Sequence, residues 1–171
     1  MQRICVTGDS GSGKSTLAKA LAEGLGFPYL ELDSLYHQPN WTPLETGEFR
    51  ERVRAFAEQP RWVIDGNYSS VRDLTWPRAD TLVLIDLSRW GVLSQLVPRT
   101  LGRMFGRQRL WNGNRESPWS LLSPSIDRNI LLYSLLTHGK SRRRFLAAQA
   151  DPALQHLSFR RLSAPSVESL L

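Results

Sequence analysis

A glycine-rich stretch that directly follows a short apolar run constrains this chain more than any other feature. After the apolar residues 4–6, nine residues fit the pattern G-x-x-x-x-G-K-[S/T]: Gly8, Asp9, Ser10, Gly11, Ser12, Gly13, Lys14, Ser15 and Thr16. A triphosphate needs a ring of inward-pointing backbone N–H groups, and glycines let the backbone wrap that closely. Strong helix formers follow at 17–22, so strand, loop and helix come in the order that a phosphate-binding loop requires.

The loop indicates a specific ligand chemistry. Lys14 is expected to reach the β- and γ-phosphates, and the Ser15 hydroxyl is expected to bind Mg²⁺. We therefore expect ATP or GTP together with Mg²⁺. A dinucleotide fingerprint fits poorly, because Thr16 stands where that motif needs its third glycine. A GTPase switch is disfavoured, since the sequence contains no N-K-x-D guanine signature.

Length and composition favour one soluble domain spanning residues 1–171. The chain is 41% hydrophobic and 22% charged, which is typical of an ordinary globular protein. The longest nearly apolar stretch, 130–136, is much shorter than the ~20 residues of a membrane span. We expect no membrane partner. The single cysteine, Cys5, is expected to be a core residue, and the absence of disulfides suggests a cytoplasmic protein.

Positive charge is concentrated in one segment. Residues 99–144 carry ten Arg and Lys side chains against two acidic ones, a net charge of +8, whereas the whole chain carries +6. Three interpretations compete: a solvated helical face, an arginine-lined lid over phosphates, and a footprint for nucleic acid. For the part up to Arg128 the lid is favoured, because the forked guanidinium of arginine suits bidentate phosphate binding.

Apolar runs alternate with helical patterns along the chain. Strands are predicted at 4–6, 29–32, 62–65, 81–86 and 157–162. Helices are predicted after the phosphate loop, from a capping box at 42–45 to about Glu58, over 89–106 with Pro98 kinking it or ending its first part, from Ser125 to about Leu136, and over 140–150. Residues 110–118 are predicted to form a mobile connection. The order implies a mostly parallel sheet, with Asp33, Asp65, Asp86 and the phosphate loop at its carboxyl edge.

Five stretches together resemble a known family: the phosphate loop, 30–33, 62–68, 85–90 and 110–116. They are similar to the adenylate-kinase-like P-loop proteins of the topology modulation (FlaR-type) family. The resemblance implies a P-loop NTPase three-layer sandwich of α/β class, with a five-stranded parallel sheet in the order 2-3-1-4-5. It also implies an acceptor-binding region at about 34–60 and an arginine-rich helical lid at about 99–128.

The resemblance assigns roles to the strand-end carboxylates. Asp65 would hold Mg²⁺ through water, with Asp86 as the competing candidate and a turn or helix cap as the alternative for either. Asp33 would act as a general base or orient the acceptor, and it has a cap alternative as well. Alanine at 164, where relatives often place a helix-capping serine before the proline, is a departure from the family pattern. It puts in doubt the loop that is expected to touch the nucleotide base.

The remaining roles concern phosphate and acceptor binding. Lys14 would stabilise charge on the transferred phosphoryl group. Four arginines would spread over the migrating and donor phosphates: Arg99, Arg103, Arg115 and Arg128. Tyr68, Arg72 and Trp41 would line the acceptor site.

The sequence thus predicts an ATP/Mg-dependent phosphotransferase, similar to nucleoside monophosphate kinases, that binds a nucleoside triphosphate and a small-molecule acceptor. The alternative is a nucleotide-dependent nucleic-acid-binding or regulatory protein, for which the basic segment would supply the contacts. The identity of the acceptor, the choice between ATP and GTP, and the oligomeric state stay open at this point.

Overall fold

The chain folds around a sheet of five parallel strands, which have the spatial order 2-3-1-4-5. The strands are β1 (Arg3–Gly8), β2 (Tyr29–Glu31), β3 (Trp62–Asp65), β4 (Thr81–Ile85) and β5 (Ser158–Leu162). The structure is a computed structural model that describes residues 1–105, 110–114, 130–168 and 170. The predicted fold class and strand order are confirmed.

Helices cover both faces of the sheet. They are α1 (Lys14–Leu25), α2 (Leu32–Tyr36), α3 (Thr46–Ala57), α4 (Arg72–Thr75), α5 (Arg89–Phe105), α6 (Ile130–Thr137) and α7 (Lys140–Gln149). Within the described ranges, no helix is both long and apolar enough to cross a membrane.

The side chains of the central strands point alternately to the two faces of the sheet, and each face carries its own hydrophobic core. In β4, Leu82 and Leu84 pack with residues of α3, α4 and α7, whereas Val83 and Ile85 pack with residues of α1. Successive side chains of a strand point to opposite faces, so a continuous apolar run serves both layers. Cys5 belongs to the first core, and burial raises the pKa of its thiol to about 12. The prediction of a core cysteine is therefore confirmed.

Two element boundaries differ from the sequence prediction. The predicted capping box at Thr42 is wrong: α3 begins at Thr46, and the Glu45 carboxylate accepts the Glu48 N–H at 3.0 Å. Thr42 does not cap a helix, because no helix follows it directly: Leu44 N–H donates to the Tyr36 carbonyl at 2.8 Å, and Glu45 has non-helical dihedral angles. The second strand ends at Glu31, one residue before the predicted end at Leu32. Asp33 lies in the first turn of α2.

The segment between β3 and β4 was predicted without a helix, but it contains α4 flanked by two short 3₁₀ turns. Helix α5 also runs through Pro98 without ending there. Pro98 is exposed, so the carbonyl that loses its helical N–H partner can be hydrated.

Candidate functional site

The phosphate loop leaves β1 and enters α1 through glycines in the left-handed region. Gly11 has φ +85° and Gly13 has φ +84°. A Cβ atom at Gly13 would also lie 3.0 Å from Pro165 Cγ, and one at Gly11 would lie 3.0 Å from Leu96 Cβ. Any other residue at these positions would therefore meet both backbone strain and a steric conflict. The loop needs its glycines for conformation and for space.

The first turn of α1 is open to an anion. Gly13 makes no side-chain cap, and no acidic residue lies in the first turn. The N–H groups that begin a helix have no partner within the helix, and the helix dipole makes this end positive. Lys14 and Ser15 begin this helix and are partly exposed. This arrangement suits the phosphates of a nucleotide.

Asp65 lies beside this helix end at the carboxyl edge of the sheet. Its side chain is buried, with 1% of the residue exposed, and its Oδ1 atom has no hydrogen-bond partner among the described residues. The Tyr29 hydroxyl donates to Oδ2 at 3.4 Å. Burial raises the pKa of Asp65 to about 6, while the nearby Lys14 charge and Ser15 hydroxyl lower it. A buried carboxylate with an unpaired oxygen beside Ser15 fits an Mg²⁺ site.

No group of three or more His, Cys, Asp or Glu side chains that could hold a metal by themselves occurs in the described part of the chain. Mg²⁺ is commonly held by one or two protein ligands together with substrate phosphates. Ser15 and Asp65 therefore fit an ion that arrives with the nucleotide.

Asp86, the competing candidate, is engaged elsewhere. Its Oδ2 atom accepts a hydrogen bond from Arg161 Nε at 2.7 Å and lies 3.6 Å from Arg142 Nε. The side chain is 12% exposed. Two guanidinium groups thus already neutralise this carboxylate, which ties β4 to β5 and α7.

The carboxylate of Asp9 in the phosphate loop contacts residues 138–141 at the start of α7, a contact that the sequence does not predict. It accepts the N–H groups of Gly139 at 2.7 Å and of Ser141 at 3.3 Å, and it lies 3.4 Å from His138 Nδ1. Next to it, Ser134 Oγ donates to the Ser10 carbonyl at 3.4 Å. Asp9 therefore caps α7 from outside the helix, and the phosphate loop is tied to the α6–α7 region.

Asp33 lies within a group of polar and aromatic side chains. The Tyr68 hydroxyl donates to Asp33 Oδ1 at 2.7 Å and lies 3.5 Å from His37 Nε2. Burial raises the pKa of Tyr68, with the Asp33 charge adding to the effect. Burial also lowers the pKa of His37, which the Asp33 charge opposes. At neutral pH Tyr68 therefore remains a donor to Asp33.

Arg72 lies near this group and is bonded to Asn67, the residue before Tyr68. Arg72 donates to the neutral Asn67 Oδ1 from Nε at 3.2 Å and from a terminal nitrogen at 2.9 Å, and it stacks over Trp76 at 4.9 Å. Burial lowers the pKa of Arg72, and the nearby charge of Arg144 lowers it further. No carboxylate pairs with either guanidinium in the ranges that the structure describes. The Arg72 guanidinium, bonded to a neutral amide rather than to a carboxylate, can therefore bind an anionic group.

The four arginines predicted to bind the phosphates divide between helix α5 and a segment outside the described residues. Arg99 and Arg103 lie on α5, and Leu96 of the same helix contacts the phosphate loop at Gly11. Arg115 and Arg128 lie outside the described residues. Their predicted role on the phosphates stays a prediction.

Residues 110–114 form a tight turn that sequence reasoning interpreted as a mobile connection. In the structure this turn is docked on residues 34–41 through asparagine side chains and aromatic rings. Asn112 adopts φ 55° and Gly113 φ +79°. The Asn-Gly pair signals this left-handed turn, but nothing in the local sequence indicates its partner.

Sequence comparisons place the similarity in the N-terminal part. The profile of the cytidylate kinase family matches residues 4–62. A cytidylate kinase of Streptococcus equi subsp. zooepidemicus is 35% identical over 57 residues, which is 33% of this chain and 25% of that protein. A shikimate kinase of Chlorobium phaeobacteroides is 45% identical over 62 residues, 32% of this chain and 31% of that protein. The chain thus spans about a quarter of the length of the cytidylate kinases that it matches.

Structural comparison extends the similarity to nearly the whole chain. A shikimate kinase from Bacteroides thetaiotaomicron superposes with a TM-score of 0.55 at 19% identity, covering 98% of this chain and 89% of that one. A shikimate kinase from Acinetobacter baumannii, solved with shikimate, gives 0.53 at 15% identity, covering 99% and 87%. This chain has the fold of P-loop kinases. The narrower assignment to topology modulation proteins stays a prediction.

Proposed function

We propose that the protein is an ATP/Mg²⁺-dependent phosphotransferase that moves the γ-phosphoryl group of ATP to a small acceptor. One observation carries the proposal: Lys14 and Ser15 begin α1 directly beside the buried, partly unpaired carboxylate of Asp65. The similarity of residues 4–62 to cytidylate kinases supports the same conclusion.

On the donor side, the residues act by positioning and charge. The backbone N–H groups of the loop and the first turn of α1 hold the β- and γ-phosphates, and Lys14 neutralises the charge that develops on the transferred group. Ser15 and Asp65 would hold Mg²⁺, which would supply further neutralisation of the phosphate charge. The orphaned Oδ1 atom of Asp65 would accept a hydrogen bond from water bound to that ion.

On the acceptor side, the geometry favours a small molecule with an anionic group. Arg72 would bind that group, and Asp33, held by Tyr68, would orient the acceptor or take the proton of a hydroxyl. Two acceptor classes fit: a nucleoside monophosphate, whose phosphate is itself the nucleophile, and a hydroxylated acid, whose hydroxyl is the nucleophile.

The test is an acceptor screen with purified protein and γ-labelled ATP. The panel includes cytidylate and the other nucleoside monophosphates, shikimate and related hydroxy acids. We expect Mg²⁺-dependent transfer of label to at least one member. If folded protein that binds Mg-ATP transfers label to none of them, the proposal is wrong.

The nucleic-acid alternative rests on the charge of segment 99–144. In the described part of that segment, Arg142 lies 3.6 Å from Asp86, so this charge already has a partner inside the protein. The alternative predicts duplex DNA binding that weakens steeply with salt and survives Lys14→Ala. Such binding without phosphoryl transfer would favour it over the kinase.

A further inference from the structure

Two segments that are distant in sequence form one unit on the acceptor side. The turn 110–114 lies in the region predicted to be the lid, and residues 34–41 lie in the region predicted to bind the acceptor. Asn112 Nδ2 donates to the Ser34 carbonyl at 3.1 Å and to the His37 carbonyl at 2.7 Å. One side chain thus satisfies two carbonyls, including the His37 carbonyl just beyond the end of α2.

The Asn114 side chain forms two further hydrogen bonds, one as a donor and one as an acceptor. Its Nδ2 atom donates to the Gln38 carbonyl at 2.9 Å, and its Oδ1 atom accepts the Trp41 N–H at 3.0 Å. Only 4% of Asn114 is exposed. Both ends of the amide are used and the side chain is buried, so an aspartate or a leucine of similar size would leave polar groups unpaired.

Aromatic rings join the same two segments. Trp111 stacks on His37, with centroids 5.8 Å apart and planes 20° apart, and it meets Trp41 edge-on at 6.3 Å. His37 in turn lies 3.5 Å from the Tyr68 hydroxyl that holds Asp33. The cluster therefore runs without interruption from the turn 110–114 to the carboxylate that the proposed function places at the acceptor.

The backbone between the asparagine contacts is strained. Asn40 and Trp41 both have φ 59°, and a bulky residue such as tryptophan rarely adopts the left-handed region. Such strain persists only where surrounding contacts determine the conformation. The Trp41 N–H bond to Asn114 is a contact of that kind.

We propose that the turn 110–114 is a wall of the acceptor site, and that Asn112 and Asn114 are positioning residues that set acceptor recognition. This inference rests on the proposed function. The two asparagines hold residues 34–41 in their bent conformation, so that His37 and Trp111 form one aromatic face beside Asp33 and Tyr68. Their side chains bond to the backbone of residues 34–41, so they act through that segment.

Hydrogen exchange tests the docking without any need for activity. We compare residues 34–41 in the wild type, Asn112→Gly and Asn114→Ala, each in the full chain. Glycine at 112 keeps the left-handed backbone and deletes only the side chain. We expect the Trp41 amide and its neighbours to exchange at least about tenfold faster in both variants, because the loss of one or two hydrogen bonds raises the population of the open state.

Asn40→Gly is the matched control. Asn40 has the same left-handed backbone, is exposed, and makes none of the four bonds. Its exchange pattern should match that of the wild type. If Asn112→Gly and Asn114→Ala also match the wild type, the docking has no energetic role and the proposal is overturned.

Steady-state kinetics with the acceptor that the screen identifies will test whether the docked turn affects acceptor recognition. Both variants should raise the acceptor KM by about tenfold, as expected for one or two lost hydrogen bonds, and leave the ATP KM within about twofold of the wild type. Faster exchange with an unchanged acceptor KM, or an equal rise of both KM values, would show a purely structural contact and overturn the proposal. If the wild type itself transfers phosphate to no acceptor, the proposed function fails and the acceptor-site claim with it. The exchange data then still show whether the turn is docked.

Discussion

The donor side and the acceptor side of this site are built in opposite ways. The proposed donor side consists of nine consecutive residues whose backbone N–H groups and first helical turn would bind phosphate, and Asp65 joins them from another strand. The acceptor side is assembled from residues 34–41, Tyr68, Arg72 and the turn 110–114, whose asparagine contacts join positions 73 to 78 residues apart. Under the proposed function, a local motif would specify the phosphate donor, whereas long-range contacts would specify the acceptor.

The largest expected effect is the loss of phosphoryl transfer caused by Lys14→Ala on the donor side. We expect phosphoryl transfer to fall by about 10³-fold, because the lost charge stabilises mainly the transition state. Since Lys14 is partly exposed, the fold should survive, as circular dichroism and thermal melting would show. Lys19→Ala, on an exposed position of the same helix, is the control. Undiminished transfer by the Lys14 variant would contradict the proposed mechanism.

The buried carboxylate predicts an unusual pH dependence of stability. The pKa of Asp65 rises from 3.8 to about 6 on folding, so the folded state holds this proton more tightly than the unfolded state does. The stabilisation is fully present below about pH 4 and is lost as the pH rises through about 6. In the absence of nucleotide, the wild type should therefore lose up to about 3 kcal/mol relative to Asp65→Asn between pH 4 and 7.

Urea unfolding of both proteins at pH 4, 5, 6 and 7 measures this difference. A difference in the free energy of unfolding that stays constant over the range would show that Asp65 titrates normally. The donor side would then lack the desolvated carboxylate that we ascribe to it.

Measurements of activity and stability distinguish the roles of Asp65 and Asp86, the two aspartates at the carboxyl ends of strands β3 and β4. Asp65→Asn should lower kcat by about 100-fold through weakened Mg²⁺ binding, while its stability at pH 7 increases. Asp86→Asn should instead lose stability, because Arg161 and Arg142 lose their partner. Steady-state kinetics at several Mg²⁺ concentrations and urea unfolding give both readouts. If Asp86→Asn instead lowered kcat and Asp65→Asn lost stability, Asp86 would be the aspartate that helps to bind Mg²⁺.

On the acceptor side, Tyr68→Phe removes one hydroxyl. Asp33 loses a donor at 2.7 Å, so we expect kcat/KM for the acceptor to fall by about tenfold, as for a hydrogen bond to a charged group. The KM for ATP should not change, because the loop is untouched. Tyr36→Phe, a change on a neighbouring ring that packs 4.8 Å from Tyr68, is the control. Equal losses in both variants would point to packing rather than to the hydrogen bond.

Sequence reasoning succeeded where the cause of a structure is local. The runs at 62–65 and 81–86 predicted buried strands, because a parallel strand covered on both faces must be apolar throughout, and β3 and β4 lie there. It failed where neighbours in space intervene. Thr42 and Pro43 fit a helix start, but the Leu44 N–H bond to Tyr36 extends this segment. Similarly, the sequence predicts a mobile connection at 110–114. The carbonyls that accept hydrogen bonds from its asparagine side chains lie on another segment.

By itself, the sequence determined the phosphate loop, the helix that follows it and the class of the fold, because contiguous glycines, apolar runs and helix formers act within a few residues of one another. Only the tertiary structure decided the fate of each strand-end carboxylate. Asp65 is buried beside Lys14 and Ser15, Asp86 is neutralised by arginines of β5 and α7, and Asp33 is held by Tyr68. The physical reason is that desolvation and charge pairing depend on which groups surround a carboxylate in space, and these groups come from distant parts of the chain.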